Sequence, residues 1–385
     1  MASASDVFFI EKRVFPAATP RTNTHAVKNP DSDRLVVAAN IYRPKSNLEP
    51  KTGDVTIVTA HANGFGKELY EAFFVDLLTL SEGAGFRIRY IVITDVVNEG
   101  ESGVLNEPKL GDSFTWLDTS RDIGLMLQIL APPPPVVAIG HSFGGAILFH
   151  LSIIYPSLFF ALIGLDPIIE KKEDADEVCM YPAKLSSHRK DVWPSSEAAK
   201  EYFLKKQMYN RFDPRVFDLW LKYGLRKLPT PLYPTYPDPQ VMQTDAVTLT
   251  TTRFQEIYVF VQPNSDPDGI PLHRPDTSEV FNELDKVKVP ILFIAGGLSD
   301  VSMRFHKKME ILKHAELIIF EDAGHLLPFE QPVKTADFVS KFLGKVTDKW
   351  MKDREVDRAE VRYSASFGDY YINELGIRQK NVSRL

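Results

Sequence analysis

The stretch from Pro135 to Tyr155 limits what this chain can fold into more than any other. It reads PVVAI, then GHSFGG, then AILFHLSIIY. The first run is short, β-branched and wholly apolar, which is the pattern of a strand buried on both faces. The third is an apolar helical pattern without proline or glycine. Only a tight turn fits between them. A strand that passes straight into a buried helix opens a strand–helix–strand unit, and such units build parallel sheets covered by helices on both faces.

The rest of the chain repeats this rhythm. Strands are expected at Leu35–Tyr42, Val55–Thr59, Ile88–Thr94, Val136–Ile139, Phe159–Leu165, Ile291–Ala295 and Leu317–Phe320. Helical patterns fall between them at Leu69–Leu80, Thr119–Leu130 and Phe143–Tyr155. The rhythm breaks between Ile169 and Val287, where residues are helical and proline-rich. There Asp213-Pro214 starts a helix, with Val216, Phe217, Trp220 and Leu221 on one face and Gly224 closing it. We expect a core over residues 1–168 and 288–346, a helical cap over 169–287, and a charged tail over 347–385. No internal repeat is present.

Composition narrows the function. With 385 residues, 44% of them hydrophobic, the chain can bury a large core. A net charge of −6 speaks against nucleic-acid binding. The single cysteine, Cys179, rules out an intramolecular disulfide and sites built on several thiolates, and fits a reducing compartment. No run of 18 apolar residues and no signal-peptide pattern occurs, so we expect no membrane span and no secretion. The sequon at Asn381 is then chance. By contrast, the terminal Ser383-Arg384-Leu385 is a conservative variant of the S-K-L peroxisomal address. The expected location is the peroxisome matrix, with an import receptor as partner and the cytoplasm as the alternative. Monomer and homodimer both stay open.

Gly140-His141-Ser142-Phe143-Gly144 is a G-x-S-x-G between strand and helix, the pattern of a nucleophile elbow. In it the serine takes strained backbone angles, and its hydroxyl projects above the sheet edge. Serine needs a base to lose its proton. His325, in DAGHLLP after the late strand LIIF, comes in the right order and context, whereas His141 is a shaping residue of the turn. Two aspartates compete to orient His325, because both end apolar strands. Asp166 comes 24 residues after Ser142, one strand–helix–strand step on. Asp300 follows Gly296-Gly297 on the later strand, the usual place. The spacing favours Asp166 without excluding Asp300. For the oxyanion, the backbone N–H groups of Phe143 and of Asn63, in the loop HANGF, are the candidate donors.

From Lys184 to Lys227 the expected cap carries 11 Lys or Arg against 5 Asp or Glu. It could attract an anionic substrate such as a coenzyme A thioester, or form solvated helix faces. Trp193, Tyr202, Phe203, Phe217 and Trp220 read as its core.

With HANGFGKELYE, GHSFGG, LDPII, GHLLP, DVWPSSEAAKEYFLKK and DPRVFDLW in view, the chain resembles the α/β-hydrolase superfamily over about residues 30 to 345. More narrowly it is similar to a fungal group of peroxisomal lipases, toxin-biosynthesis hydrolases and acyl-CoA hydrolases. The resemblance implies a mainly parallel eight-stranded sheet with helices on both faces and a helical cap. It also implies a serine hydrolase that cleaves an acyl-CoA thioester or a carboxylic ester through an acyl-enzyme, with no cofactor and no metal. In the group's acyl-CoA hydrolases the acid follows the strand after the elbow helix, which matches Asp166. The alternatives are a lipase or esterase on oxoesters and a non-catalytic ligand-binding protein on the same scaffold.

Overall fold

A computed structural model describes residues 2–236, 245–264, 271–359 and 369–376. The sequon at Asn381 and the terminal Ser383-Arg384-Leu385 lie outside the described residues. Eight strands form one sheet: β1 Phe8–Pro16, β2 Val36–Pro44, β3 Val55–Ala60, β4 Ile88–Thr94, β5 Val136–His141, β6 Ala161–Leu165, β7 Ile291–Gly296 and β8 Glu316–Phe320. Their order is β1-β2-β4-β3-β5-β6-β7-β8. The pairs β1–β2 and β2–β4 are antiparallel, and every pair from β4 to β8 is parallel. β1 has no counterpart among the strands expected from sequence. It is an edge strand whose FFIEKRVFP buries Phe8 and Phe15 and exposes most of the rest, so it lacks an apolar run.

The central strands β3, β5, β6 and β7 are buried along their whole length. Their side chains alternate between two cores, as a pleated strand requires. Ile57, Ile139, Ile163 and Ile294 enter one core, and Val58, Ala138, Leu162 and Phe293 the other. Phe73 and Leu77 of the helix Glu71–Ser81, with Val339 and Leu343 of the helix Pro332–Ala359, close the first core. Met126 of Trp116–Leu130 and Ile147 and Leu151 of Phe143–Ile154 close the second. Each such side chain contributes roughly 1.5–3 kcal/mol. The helix Pro332–Ala359 runs through position 346 without a break, and Trp350 packs its ring 6.4 Å from that of Phe160. The first part of the expected tail is therefore docked on the core.

Between β6 and β7 the chain forms helices at Lys172–Ser187, Ser196–Leu204, Pro214–Tyr223, Arg253–Phe260 and Asp276–Asn282. Asp213 caps the third of these by accepting from the Arg215 N–H, with Pro214 in the first turn. The segment is not wholly helical. Val192–Trp193, Val247–Leu249 and Leu225–Lys227 pair into a small antiparallel sheet, whose strands are too short to register as a periodicity.

An aromatic cluster holds the segment together, with Phe203 placing its ring 5.1 Å from Trp193, 4.7 Å from Tyr209 and 5.4 Å from Trp220. Trp220 in turn meets Phe65 of the core at 5.6 Å. The arginines of the basic stretch fasten the segment down: Arg211 pairs with Glu330, Arg215 with Asp76 and Arg226 with Glu107. Three of the eleven basic side chains between Lys184 and Lys227 are therefore matched to core carboxylates.

Candidate active site

β5 ends at His141, and Ser142 turns the chain into the helix Phe143–Ile154 with φ +59° and ψ −127°. Such a conformation in a non-glycine residue stores roughly 1–3 kcal/mol of strain and persists only where the surroundings enforce it. Two glycines make the turn feasible. A Cβ on Gly140 would sit 2.5 Å from the Gly144 carbonyl oxygen, and one on Gly144 would sit 2.5 Å from that of Ala60. The second approach also presses the elbow against the end of β3, where the HANGF loop begins.

The turn delivers Ser142 Oγ to 2.8 Å from His325 Nε2. On the far side of the ring, His325 Nδ1 lies 2.6 Å from Asp166 Oδ2. Asp166 follows β6 with φ +44° and is fully buried, while Ser142 is 7% exposed. The same Oδ2 accepts from the Ser299 hydroxyl at 2.6 Å, and Oδ1 accepts from the Gly296 N–H at 3.3 Å. Asp300 is exposed, and it is Ser299 beside it, three residues after Gly296, that reaches the carboxylate. Of the two competing aspartates, the fold puts Asp166 against His325.

The loop carrying His325 is itself tied down. Gly324 N–H donates to Glu330 Oε2 at 3.0 Å, and Arg211 Nε donates to the same oxygen at 2.7 Å. Arg211 also reaches the Asp322 carbonyl at 2.7 Å. One arginine of the inserted segment thus holds both sides of the histidine loop.

Phe143 is the first residue of its helix, so its N–H has no acceptor within the helix. Asn63 is buried in the turn after β3, and its side-chain Nδ2 donates to the Glu256 carbonyl of the inserted segment at 3.0 Å. Next to it, Gly64 N–H donates to Glu99 Oε2 at 2.7 Å. Burial pushes the Glu99 carboxyl well above the usual range. Glu256 is held by Ser186 and Arg189.

Sequence reasoning did not single out Tyr70, His61, Glu99 or Glu330. Nothing in their local pattern marks them, because the partners each one meets are set by how the loops fold together, as with Tyr70 and His141. Burial lowers the pKa of His141 to about 3, with His325 adding to the effect, and burial also lowers that of His61. Lys67 is buried too, which by itself would lower its pKa, but Asp95 and Glu68 raise it and keep the ammonium charged. A cavity of about 260 Å³ lies between core and segment, lined by Gly64, Glu68, Glu101, Trp220 and Lys222 among others. Neither Ser142 nor His325 lines it.

A profile described as the alpha/beta hydrolase family matches residues 57–338. The chain belongs to the alpha/beta hydrolase family. It is 28% identical to the type I acyl-CoA thioesterase mpaH′ of Penicillium brevicompactum, over 91% of this chain and 93% of that protein. To the type I acyl-CoA thioesterase mpaH of Penicillium roqueforti it is 29% identical, over 85% of this chain and 86% of the other. Among solved structures it is similar to the peroxisomal alpha-beta-hydrolase Lpx1 of Saccharomyces cerevisiae. That match has a TM-score of 0.73 at 16% identity and covers 97% and 95% of the two chains. This α/β-hydrolase is thus a hydrolase with acyl-CoA thioesterases among its relatives.

Proposed function

We propose that this α/β-hydrolase cleaves acyl-CoA thioesters through an acyl-enzyme on Ser142, inside the peroxisome. The observation that carries the reading is the unbroken hydrogen-bonded line from Ser142 Oγ through His325 to Asp166. In this reading His325 Nε2 takes the proton of Ser142 as its oxygen attacks the thioester carbonyl. The N–H groups of Phe143 and Asn63 receive the negative oxygen of the tetrahedral intermediate. Coenzyme A then leaves as the thiol, protonated from His325. Water enters, gives its proton to the same nitrogen, attacks the acyl-serine and frees the carboxylic acid. Asp166 holds the ring in the tautomer with hydrogen on Nδ1 and stabilises the imidazolium formed twice in the cycle.

The thioester is favoured over an oxoester by the names of the two Penicillium relatives. Residues 169–287 act as the cap that selects the acyl group. A panel of acyl-CoAs, followed by release of free thiol, tests the substrate class beside nitrophenyl esters of short and long chains. Turnover of the esters alone would move the reading to an esterase. A fluorophosphonate probe tests the nucleophile: no adduct on Ser142 of the folded protein would replace the enzyme reading with a ligand-binding one. A fluorescent fusion with and without Ser383-Arg384-Leu385 tests the location, and a cytoplasmic signal from both forms would remove the import-receptor partner.

A further inference from the structure

One line of hydrogen bonds joins the three loops of the site, and every proton in it has a determined place. It starts at Val96, whose N–H donates to His61 Nε2 at 3.1 Å. That nitrogen must be bare, so the His61 hydrogen is on Nδ1, which donates to the Ala62 carbonyl at 2.9 Å. Ala62 N–H donates to Tyr70 Oη at 2.8 Å. Tyr70 Oη lies 2.8 Å from His141 Nδ1, and His141 Nε2 lies 2.9 Å from the His325 carbonyl oxygen. A carbonyl only accepts, so His141 carries its hydrogen on Nε2. With the ring kept neutral by burial, Nδ1 is bare and the Tyr70 hydroxyl must donate to it.

Two links of this line, the Ala62 carbonyl and the His325 carbonyl, belong to the parts that acyl transfer requires. The Ala62 carbonyl, which also accepts from the Phe65 N–H at 3.2 Å, shares a planar peptide with the Asn63 N–H. In a trans peptide the two point in opposite directions. Pinning the carbonyl with His61 therefore aims the Asn63 N–H away from it. At the end of the line the His325 backbone is anchored beside the ring that faces Ser142. All three side chains are buried, so no water competes for these bonds.

We infer that Tyr70, His141 and His61 are positioning residues that set the oxyanion-loop peptide and the His325 backbone at a common register. The inference rests on the serine-hydrolase reading above and adds a reason for its geometry. Y70F removes one oxygen from the middle of the line and leaves the ring packing against Phe74 and Phe329 in place.

The test compares wild type, Y70F, H141Q and H141A as full-length chains. It measures the labelling rate with a fluorophosphonate, kcat and KM on a turned-over thioester, and the melting temperature. In Y70F the labelling rate and kcat fall by roughly ten- to a hundredfold, the scale of losing sub-ångström placement, with KM within about twofold. H141Q, whose amide can still donate to the His325 carbonyl, keeps more of the rate than H141A. A Y70F protein that melts earlier but labels and turns over like wild type would make these residues structural and overturn the inference. Wild type that neither labels nor turns over would instead overturn the serine reading, and this inference with it.

Discussion

Replacing Asp166 with asparagine keeps the shape of the side chain but removes a charge and one accepting oxygen. In the native site Oδ2 accepts from His325 and from Ser299 at 2.6 Å each, while Oδ1 accepts from the Gly296 N–H at 3.3 Å. The amide has two ways to sit. With its oxygen towards His325, its NH2 group faces the Gly296 N–H, donor against donor in a fully buried pocket. With its NH2 group towards His325, the imidazole must take the other tautomer, with hydrogen on Nε2 facing Ser142 Oγ and no lone pair to accept its proton. Asparagine in place of the acid of a serine protease triad lowers kcat about 10⁴-fold, or roughly 5.4 kcal/mol. We expect a loss of that order in thiol release, with the folded state retained. D300N, on an exposed side chain, should stay within about twofold of wild type. A D166N enzyme that keeps more than a tenth of its kcat while D300N loses activity would refute the assignment.

Three further outcomes follow from the same structure. G140A places a Cβ 2.5 Å from the backbone of the following turn, and unfolding in urea should show a loss of about 3 kcal/mol or more together with loss of labelling. R215A breaks a two-pronged pair with Asp76 at 2.9 Å between segment and core, so stability should fall by about 1 kcal/mol, a difference that shrinks in high salt. Acid should unfold the protein partly through His141. Its folded pKa, near 3, is below the usual 6.5, so the unfolded chain binds the proton first, and stability drops as pH falls from about 6.5 towards 3. Glu71, pushed up to about 7 by burial, works in the opposite sense between pH 4.5 and 7. Unfolding free energies at pH 6.5 and 4 for wild type and H141N isolate the histidine, and equal pH dependence in the two would exclude it.

Much of the fold is legible in the sequence because the forces involved are short-range. Unbroken apolar runs mark β5, β6 and β7, a β-branched run marks β3, and the glycines around Ser142 announce a strained turn in which a Cβ on Gly140 would meet the Gly144 backbone four residues on. His325 is found by its order and by the strand before it. Two strands can end side by side, however, with an aspartate each, and nothing local says which side chain faces inward. The adjacency of β6 and β7 and the positive φ of Asp166 settle which one meets His325, and Ser299 takes the place beside it.

The same limit applies to the inserted segment. Its excess of lysine and arginine is visible in the sequence, but only the folded chain reveals that Arg211, Arg215 and Arg226 are matched to Glu330, Asp76 and Glu107. Tyr70, His61 and His141 meet their partners through contacts that no periodicity encodes, since the Tyr70–His141 and His141–His325 bonds span 71 and 184 residues. Sequence alone determined seven of the eight strands, the strained turn at Ser142 and the order in which Ser142, Asp166 and His325 follow one another, because each depends on local pattern. Tertiary structure decided which buried donors and acceptors face one another, because burial forces every polar group to find a partner wherever the fold has brought one.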